Sequence, residues 1–150
     1  MAKKDLNKKP FINDRDENIF IGIDLPFRKS DGPDGWFAST STTIESVKNN
    51  IKNLLNTKKG ERLMQPNLGL DLNKLLFNQL NDDTIEAVRS DIIDAITRWL
   101  PFVEIRKLNI ITEGTLDSNV GANTIVIDLI FNINRDPNTL ESIQVEINGE

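Results

Sequence analysis

Three carboxylates in the sequence stand beside apolar residues, where acid–base chemistry is conceivable. They are Glu61, Asp71 and Glu104. A glycoside hydrolase holds two carboxyl groups on either side of the bond that it cleaves, and keeps one of them protonated. Asp71, however, also suits the cap of a short helix, and Arg106, two residues after Glu104, favours the charged form of that carboxylate. The residues therefore favour structural roles, and a carboxylate-based hydrolase is the alternative.

The sequence lacks both histidine and cysteine, which excludes several kinds of chemistry. Without histidine there is no Ser–His nucleophile, and the commonest zinc ligand is missing. Without cysteine there is neither a disulfide nor a thiolate nucleophile. The glycines lack the Lys-Ser/Thr that completes a phosphate loop, and no segment has the acidic density of a calcium loop. We therefore expect no catalytic residue, no cofactor and no metal.

Charge is distributed unevenly along the 150 residues, whose net charge is −5. The first ten residues carry four Lys and one Asp, or +3, which leaves −8 for the other 140. Nucleic-acid binding depends on clustered Lys and Arg, so an acidic body excludes a broad phosphate-binding surface. No apolar run approaches the roughly 20 residues that span a bilayer, and none follows the N-terminal lysines as in a secretory signal. We expect neither nucleic acid nor membrane as a partner.

Residues 1–40 show no sustained period and are predicted to form an extended N-terminal arm. Apolar residues in Ile19–Phe27 are too plentiful for a disordered tail, so the arm is expected to pack on its own domain or on a partner. The second predicted domain, residues 41–150, opens with a capping box formed by Thr42 and Glu45. A helical face follows, made of Ile44, Val47, Ile51, Leu54 and Leu55.

A segment dense in turn formers, residues 60–69, separates this helix from the next helical pattern. It is interpreted as a structural corner between helices, and its key residues are Gly60, Arg62, Pro66 and Gly69. Within this corner, Glu61–Met64 is predicted as a short edge strand and Pro66–Asn67 as the centre of a type I turn. Arg62 is expected to bond locally rather than to a partner.

Two more helices are predicted after the corner. A short one begins at Asp71, and a longer one begins near Asp83 and is stopped by Pro101. The last fifty residues show strand-like alternation instead, and Ile143, Val145 and Ile147 alternate there with polar residues. A turn is predicted at Arg135–Asn138. The pattern predicts an α+β fold in which three helices pack on a small, mainly antiparallel C-terminal β-sheet.

Several motifs occur in a fixed order along the chain. Thr57–Phe77 contains a Thr-x-x-Gly-x-Arg run, a Pro-x-x-Gly turn and a helix ending in Leu-Phe, while Glu104-Ile105-Arg106 and Asp136-Pro137-Asn138 follow it. This series resembles the baseplate wedge proteins, or sheath initiators, of contractile-tailed bacteriophages, which have a counterpart in the type VI secretion baseplate. The family carries Glu-Pro-Arg at the position of Glu104-Ile105-Arg106, so Ile105 replaces the family proline. Isoleucine can donate to a ladder, so Ile105 permits a regular strand there.

The resemblance implies a structural, non-enzymatic role in the virion, at the tail baseplate, after assembly in the host cytoplasm. It implies that Glu104 and Arg106 dock on the helical core bundle of the wedge. It also implies that the strand containing Ile143, Val145 and Ile147 offers its edge to the first ring of the tail sheath protein. The partners would be other wedge proteins and the sheath, with six copies per baseplate. Because such proteins are often labelled lysozyme-like, peptidoglycan is the substrate of the hydrolase alternative.

Overall fold

The computed structural model describes residues 19–29, 36–72, 82–112, 124–134 and 136–148. The chain divides into two compact units, Met1–Asn50 and Ile51–Glu150. The architecture is α+β with a small antiparallel sheet, as predicted. Its elements in chain order are β1 (Gly22–Ile23), β2 (Ser39–Thr40), α1 (Thr43–Asn56), α2 (Asp82–Trp99), β3 (Val103–Thr112), β4 (Thr124–Ile133) and β5 (Asp136–Asn148).

The described part of the predicted arm is a short two-stranded ribbon. Gly22 pairs with Thr40 in an antiparallel register, and an isolated bridge joins Lys29 to Phe37. The side-chain amide of Asn49 donates to the carbonyl oxygen of Ile23 at 3.2 Å, which ties the ribbon to α1 within the first unit. The expected extended segment is therefore folded back on itself in the residues that are described.

Helix α1 begins as its sequence predicts. The amide of Glu45 donates to the hydroxyl of Thr42 at 3.3 Å, which satisfies one of the free N–H groups of the first turn. The predicted apolar face is confirmed, since Val47, Ile51, Leu54 and Leu55 are all buried. Helix formation and burial thus follow from the same i, i+3, i+4 spacing.

The inner face of helix α2 is buried at Val88, Ile92, Ala95 and Ile96. The amide of Leu100 still bonds to the carbonyl of Ile96 at 2.8 Å, and Pro101 prevents another turn. The described residues contain two helices rather than the three predicted. The short helix expected from Asp71 lies outside them beyond Leu72.

Strands β3, β4 and β5 form an antiparallel sheet in that order, with β4 in the centre. Residues that stand opposite each other on neighbouring strands share a face of the sheet. One face is almost wholly apolar, and its buried members are Val103, Leu108, Ile125, Ile127, Leu129, Phe131, Ile133, Ile143, Val145 and Ile147. The buried apolar residues of the second unit include those of this face and of the inner face of α2, together with Ile51, Leu54, Leu55, Leu70 and Leu72.

A β-bulge at Arg106 interrupts β3. Ile105 pairs with Phe131 and Lys107 with Ile130, so Arg106 is the extra residue. Side chains alternate along a strand, and without the bulge Val103 and Ile105 would face away from the side that Leu108 occupies. The regular strand that Ile105 permits is therefore not formed, and the bulge brings Val103 and Ile105 to the same face as Leu108.

The predicted turn at Arg135–Asn138 is also wrong in position. Asp136 already pairs with Ile133, so β5 has begun before Pro137. The register between β4 and β5 then shifts, and Phe131 stands opposite Glu141. The shift accommodates proline, which lacks an N–H group to donate to the ladder.

Candidate docking and assembly surfaces

The corner is a series of hydrogen-bonded turns and contains no strand. Turns close between Lys58 and Glu61, between Arg62 and Gln65, and between Gln65 and Leu68, each through an N–H···O bond of 3.0–3.1 Å. The last turn has Pro66 and Asn67 at its centre, as predicted. The predicted edge strand at Glu61–Met64 is wrong, because Leu63 and Met64 occupy the two central positions of the middle turn.

Two longer-range bonds close the corner on itself. The amide of Gly60 donates to the carbonyl of Pro66 at 2.8 Å, and the amide of Leu70 donates to the carbonyl of Thr57 at 2.9 Å. Gly60 and Gly69 have φ angles of +88° and +102°, a region that side-chain-bearing residues rarely adopt. The chain can therefore turn back within a few residues.

Charged side chains of the corner bond within it or to α1. The Glu61 carboxylate accepts the amide of Lys58 at 2.9 Å, and the Arg62 guanidinium donates to the side-chain oxygen of Asn53 at 3.1 Å. Arg62 thus bonds to a local group, the side-chain carbonyl of Asn53.

The corner also exposes two large apolar side chains. Leu63 is 96% exposed and Met64 is 93% exposed. Sequence reasoning missed this feature because it assigned the pair to a strand. Their position between the turn formers Gly60 and Pro66, on a segment too short for a helix, is the signal that could have revealed it.

Glu104 and Arg106 lie together on β3. Their side chains form a salt bridge of 3.1 Å, and each is about half exposed. Glu104 stands opposite Asn132, on the face turned away from the apolar core, and Arg106 is the bulge residue. The structure brings this predicted pair into contact and leaves both charged groups accessible to solvent.

Ile143, Val145 and Ile147 point their side chains into the core, where each is less than 7% exposed. Ser142, Gln144 and Glu146 alternate with them and are exposed. Strand β5 is at the end of the sheet, and no described strand pairs with its outer side. Any strand added there would use the main chain of these residues and not their side chains.

The opposite edge, β3, is contacted by α2. The guanidinium of Arg89 donates to the carbonyl of Leu108 and also bonds to Glu86 at 3.1 Å. The two edges of the sheet therefore differ, since a helix supplies a hydrogen bond to one of them.

The three carboxylates considered for catalysis, Glu61, Asp71 and Glu104, lie in different environments. Only Asp71 lines a groove, of about 270 Å³, between the corner and the C-terminal half of α2, which also contains Asp91, Asp94 and Arg98. Glu61 bonds to the corner and Glu104 to Arg106. In the described part of the chain, no group of three acidic side chains is placed to hold a metal ion.

The ribbon of the first unit carries exposed aromatic residues and one perturbed carboxyl group. The rings of Phe27 and Phe37 are 5.9 Å apart, and both are at least half exposed. Arg28 bonds to the Asp24 carboxylate and holds its pKa below the ordinary value, and Asn49 contributes a second bond. Asp24 is therefore charged at neutral pH and bonds to Arg28 and to Asn49 of α1.

Comparison with known proteins places this geometry in a family. Residues 41–138, which include both described helices, the corner, β3 and β4, match the family of baseplate wedge protein gp25. The chain belongs to this family. A gp25-family relative, the baseplate wedge protein gp25 of Enterobacteria phage T4, is 26% identical over 109 residues, which are 73% of this chain and 78% of the relative. The resemblance inferred from the ordered motifs is confirmed.

Solved structures share the gp25-family fold. A candidate tail lysozyme of Geobacter sulfurreducens has a TM-score of 0.60 at 21% identity, over 74% of this chain and 95% of the other. A chain of the type VI secretion baseplate complex has a TM-score of 0.54 at 20% identity, over 71% and 93%. A chain of the anti-feeding prophage baseplate has a TM-score of 0.54 at 19% identity, over 85% and 84%.

Neither described helix is long and apolar enough to span a bilayer.

Proposed function

We propose that this protein is a non-enzymatic component of a contractile tail baseplate that docks on the wedge core bundle and starts sheath assembly. Membership of the gp25 family supports the baseplate role. Other wedge proteins and the tail sheath protein are its partners. It resides in the virion after assembly in the host cytoplasm, with six copies matching a sixfold baseplate.

The observation that carries the sheath role is the edge formed by β5. This strand is 13 residues long, its apolar side chains are buried, and no described strand pairs with its outer side. An incoming sheath strand can add to such an edge through main-chain hydrogen bonds, which also set its register. Arg89 already donates to β3, which favours β5 as the acceptor.

Crosslinking tests which edge receives the sheath. Ser142 and Lys107 are both exposed and stand opposite Ile130 from the two edges of the sheet. We expect a photo-reactive residue at position 142 to capture purified sheath subunits, and the same residue at position 107 to capture few. We also expect the wild-type protein to shorten the lag of sheath polymerisation. An unchanged lag, or equal capture at both positions, would contradict the proposal.

Wedge docking is assigned to the salt bridge between Glu104 and Arg106. A guanidinium gives orientation as well as energy in a charge-assisted contact, so Arg106→Ala should weaken binding to purified wedge complex. Glu104→Ala should do the same, while both variants keep the wild-type unfolding temperature. Wild-type binding by both would remove these residues from the interface.

The non-enzymatic role is supported by membership of the baseplate wedge family. Of the three carboxylates considered for catalysis, only Asp71 lines the groove, beside Asp91 and Asp94. The corner, including Gly60, Arg62, Pro66 and Gly69, then serves to turn the chain. A lysozyme-like activity is tested by incubating purified protein with peptidoglycan at pH 4–8. Clearance that Asp71→Asn abolishes without unfolding the protein would establish the hydrolase instead.

A further inference from the structure

The two exposed side chains of the corner, Leu63 and Met64, are here called the tip. Water contacts nearly all of both side chains, although burying such groups is the main favourable term in association. Central positions of β-turns usually carry Pro, Asn, Asp, Ser or Gly, each for a conformational reason. Neither Leu nor Met has such a reason, so the turn does not explain why these two residues are present.

The tip is held in place by the corner beneath it. The bond from Gln65 to Arg62 closes its own turn, and the bond from Gly60 to Pro66 closes the loop that carries it. Arg62, immediately before the tip, is fixed to Asn53 of α1. A contact surface that is already ordered loses less entropy on binding than a flexible one.

Positive charge lies immediately before the tip in the chain. Lys58, Lys59 and Arg62 are exposed and outnumber Glu61, so residues 58–62 carry +2 in a chain whose net charge is −5. An apolar centre with a charged rim is the usual composition of a protein–protein contact. The complementary surface would be an apolar pocket bordered by carboxylates.

We propose that Leu63 and Met64 insert into an apolar pocket with an acidic rim on a neighbouring wedge protein. This inference rests on the proposed baseplate function and adds a second contact with the wedge, separate from Glu104 and Arg106. The tip is the apolar anchor of that contact, and the exposed lysines that precede it, Lys58 and Lys59, select a partner of opposite charge.

The experiment measures binding of the labelled protein to purified wedge complex prepared without it. We expect the double variant Leu63→Ser, Met64→Ser to bind at least about tenfold more weakly, since two anchor side chains are lost. The variant Leu63→Ile, Met64→Leu, which keeps the apolar character, should bind within about threefold of wild type. Leu140→Ser removes another exposed leucine, 62% exposed on β5, and should leave wedge binding unchanged.

The outcomes separate this inference from the proposed function. Wild-type protein that does not bind the wedge at all contradicts the proposed function. Wild-type and serine variants that bind equally overturn only the role of the tip. Because both side chains are solvent-exposed, the serine variant should unfold at the wild-type temperature, and thermal unfolding verifies this.

Two other occupants of the tip are tested directly. Sedimentation that shows a wild-type dimer and a monomeric serine variant would assign the tip to a second copy and overturn the proposal. Flotation of wild type, but not of the serine variant, with phosphatidylglycerol–phosphatidylcholine vesicles would assign it to a lipid surface and overturn it as well. A monomer that stays off the vesicles and loses wedge binding with the tip supports it.

Discussion

Gly69 lies so close to Thr57 that a β-carbon added at position 69 would stand 2.2 Å from the Thr57 carbonyl oxygen. That oxygen is already occupied, since it accepts the amide of Leu70 at 2.9 Å. The end of α1 and the exit of the corner are therefore joined by a contact between two backbones, in which neither atom belongs to a flexible side chain.

Substitution at Gly69 should destabilise the protein strongly. Gly69→Ala must relieve the backbone clash and also adopt a positive φ, and we expect it to cost about 3 kcal/mol or more of unfolding free energy. Gly60→Ala is the matched control, because its φ is also positive but nothing lies within 4 Å of its added β-carbon. It should cost only about 1–2 kcal/mol. Urea denaturation measures both, and equal costs would show that the contact with Thr57 is unimportant.

Deletion of Arg106 should be far more damaging than its replacement. Arg106→Ala removes a half-exposed ion pair and should change stability by less than about 1 kcal/mol. Deleting the residue removes the bulge and turns Val103 and Ile105 away from the core, or forces the strand to re-pair. We expect loss of cooperative unfolding, measured by circular dichroism during heating. A deletion variant that melts at the same temperature as Arg106→Ala would show that the bulge does not determine which face of β3 carries Val103 and Ile105.

Neighbouring isoleucines of α2 provide a direct test of its inner face. Ile92 is fully buried and Ile93 is 39% exposed, so the same substitution removes the same atoms from two environments. Ile92→Ala should cost about 2–5 kcal/mol, through lost transfer energy and a residual cavity. Ile93→Ala should cost less than about 1 kcal/mol. Chemical denaturation compares the two, and similar values would mean that α2 does not bury Ile92 in preference to Ile93.

The Asp24 carboxylate should give the first unit a small dependence on pH. Its bond with Arg28 lowers its pKa in the folded protein, so the stabilisation is present above the ordinary pKa of 3.8 and is lost as pH falls through the folded value. Asp24→Asn should therefore be less stable than wild type at pH 7, by under about 1 kcal/mol, and equally stable near pH 2.

The matched control for this prediction is Arg28→Gln. It removes the largest cause of the lowered pKa and should reduce the same pH dependence. Nuclear magnetic resonance titration of the Asp24 side chain measures the shift itself. A titration midpoint at or above 3.8 in the wild-type protein would contradict the assignment.

The helices and one turn could be predicted from the sequence because their signals are local. The hydroxyl of Thr42 and the apolar spacing after it specify where α1 begins and which face it buries. Pro66 restricts φ at the position that its turn requires. In each case the residues that carry the signal are also the residues that make the bonds.

The errors concern features that depend on distant partners. Glu61–Met64 contains two adjacent apolar residues, a pattern that occurs both in short strands and in exposed turns. Only the hydrogen bonds around the segment distinguish the two structures. The bulge was visible as a change from odd to even apolar positions between Ile105 and Leu108, but its meaning depends on pairing with β4. The turn was predicted around Pro137 because proline is common in turns, whereas β5 begins one residue earlier, at Asp136.

The assembly surfaces could not be derived from side-chain chemistry alone. Glu104 and Arg106 are a common pair of charges, and Ile143, Val145 and Ile147 are ordinary core residues by burial. The ordered motifs supplied the family, and the sheet topology supplied the edge. Residue type predicted the packing of these strands, while their use in an assembly depends on neighbours in the baseplate.

The central position of β4 has a consequence for synthesis on the ribosome. This strand is made before β5, and its buried side chains lie on both faces, including Val126 and Asn132. Until β5 emerges, the nascent chain exposes its most apolar strand, β4, with the N–H and C=O groups of one edge unpaired. Translation that stalled in this interval would leave an aggregation-prone fragment, and main-chain pairing with β5 is what ends that exposure.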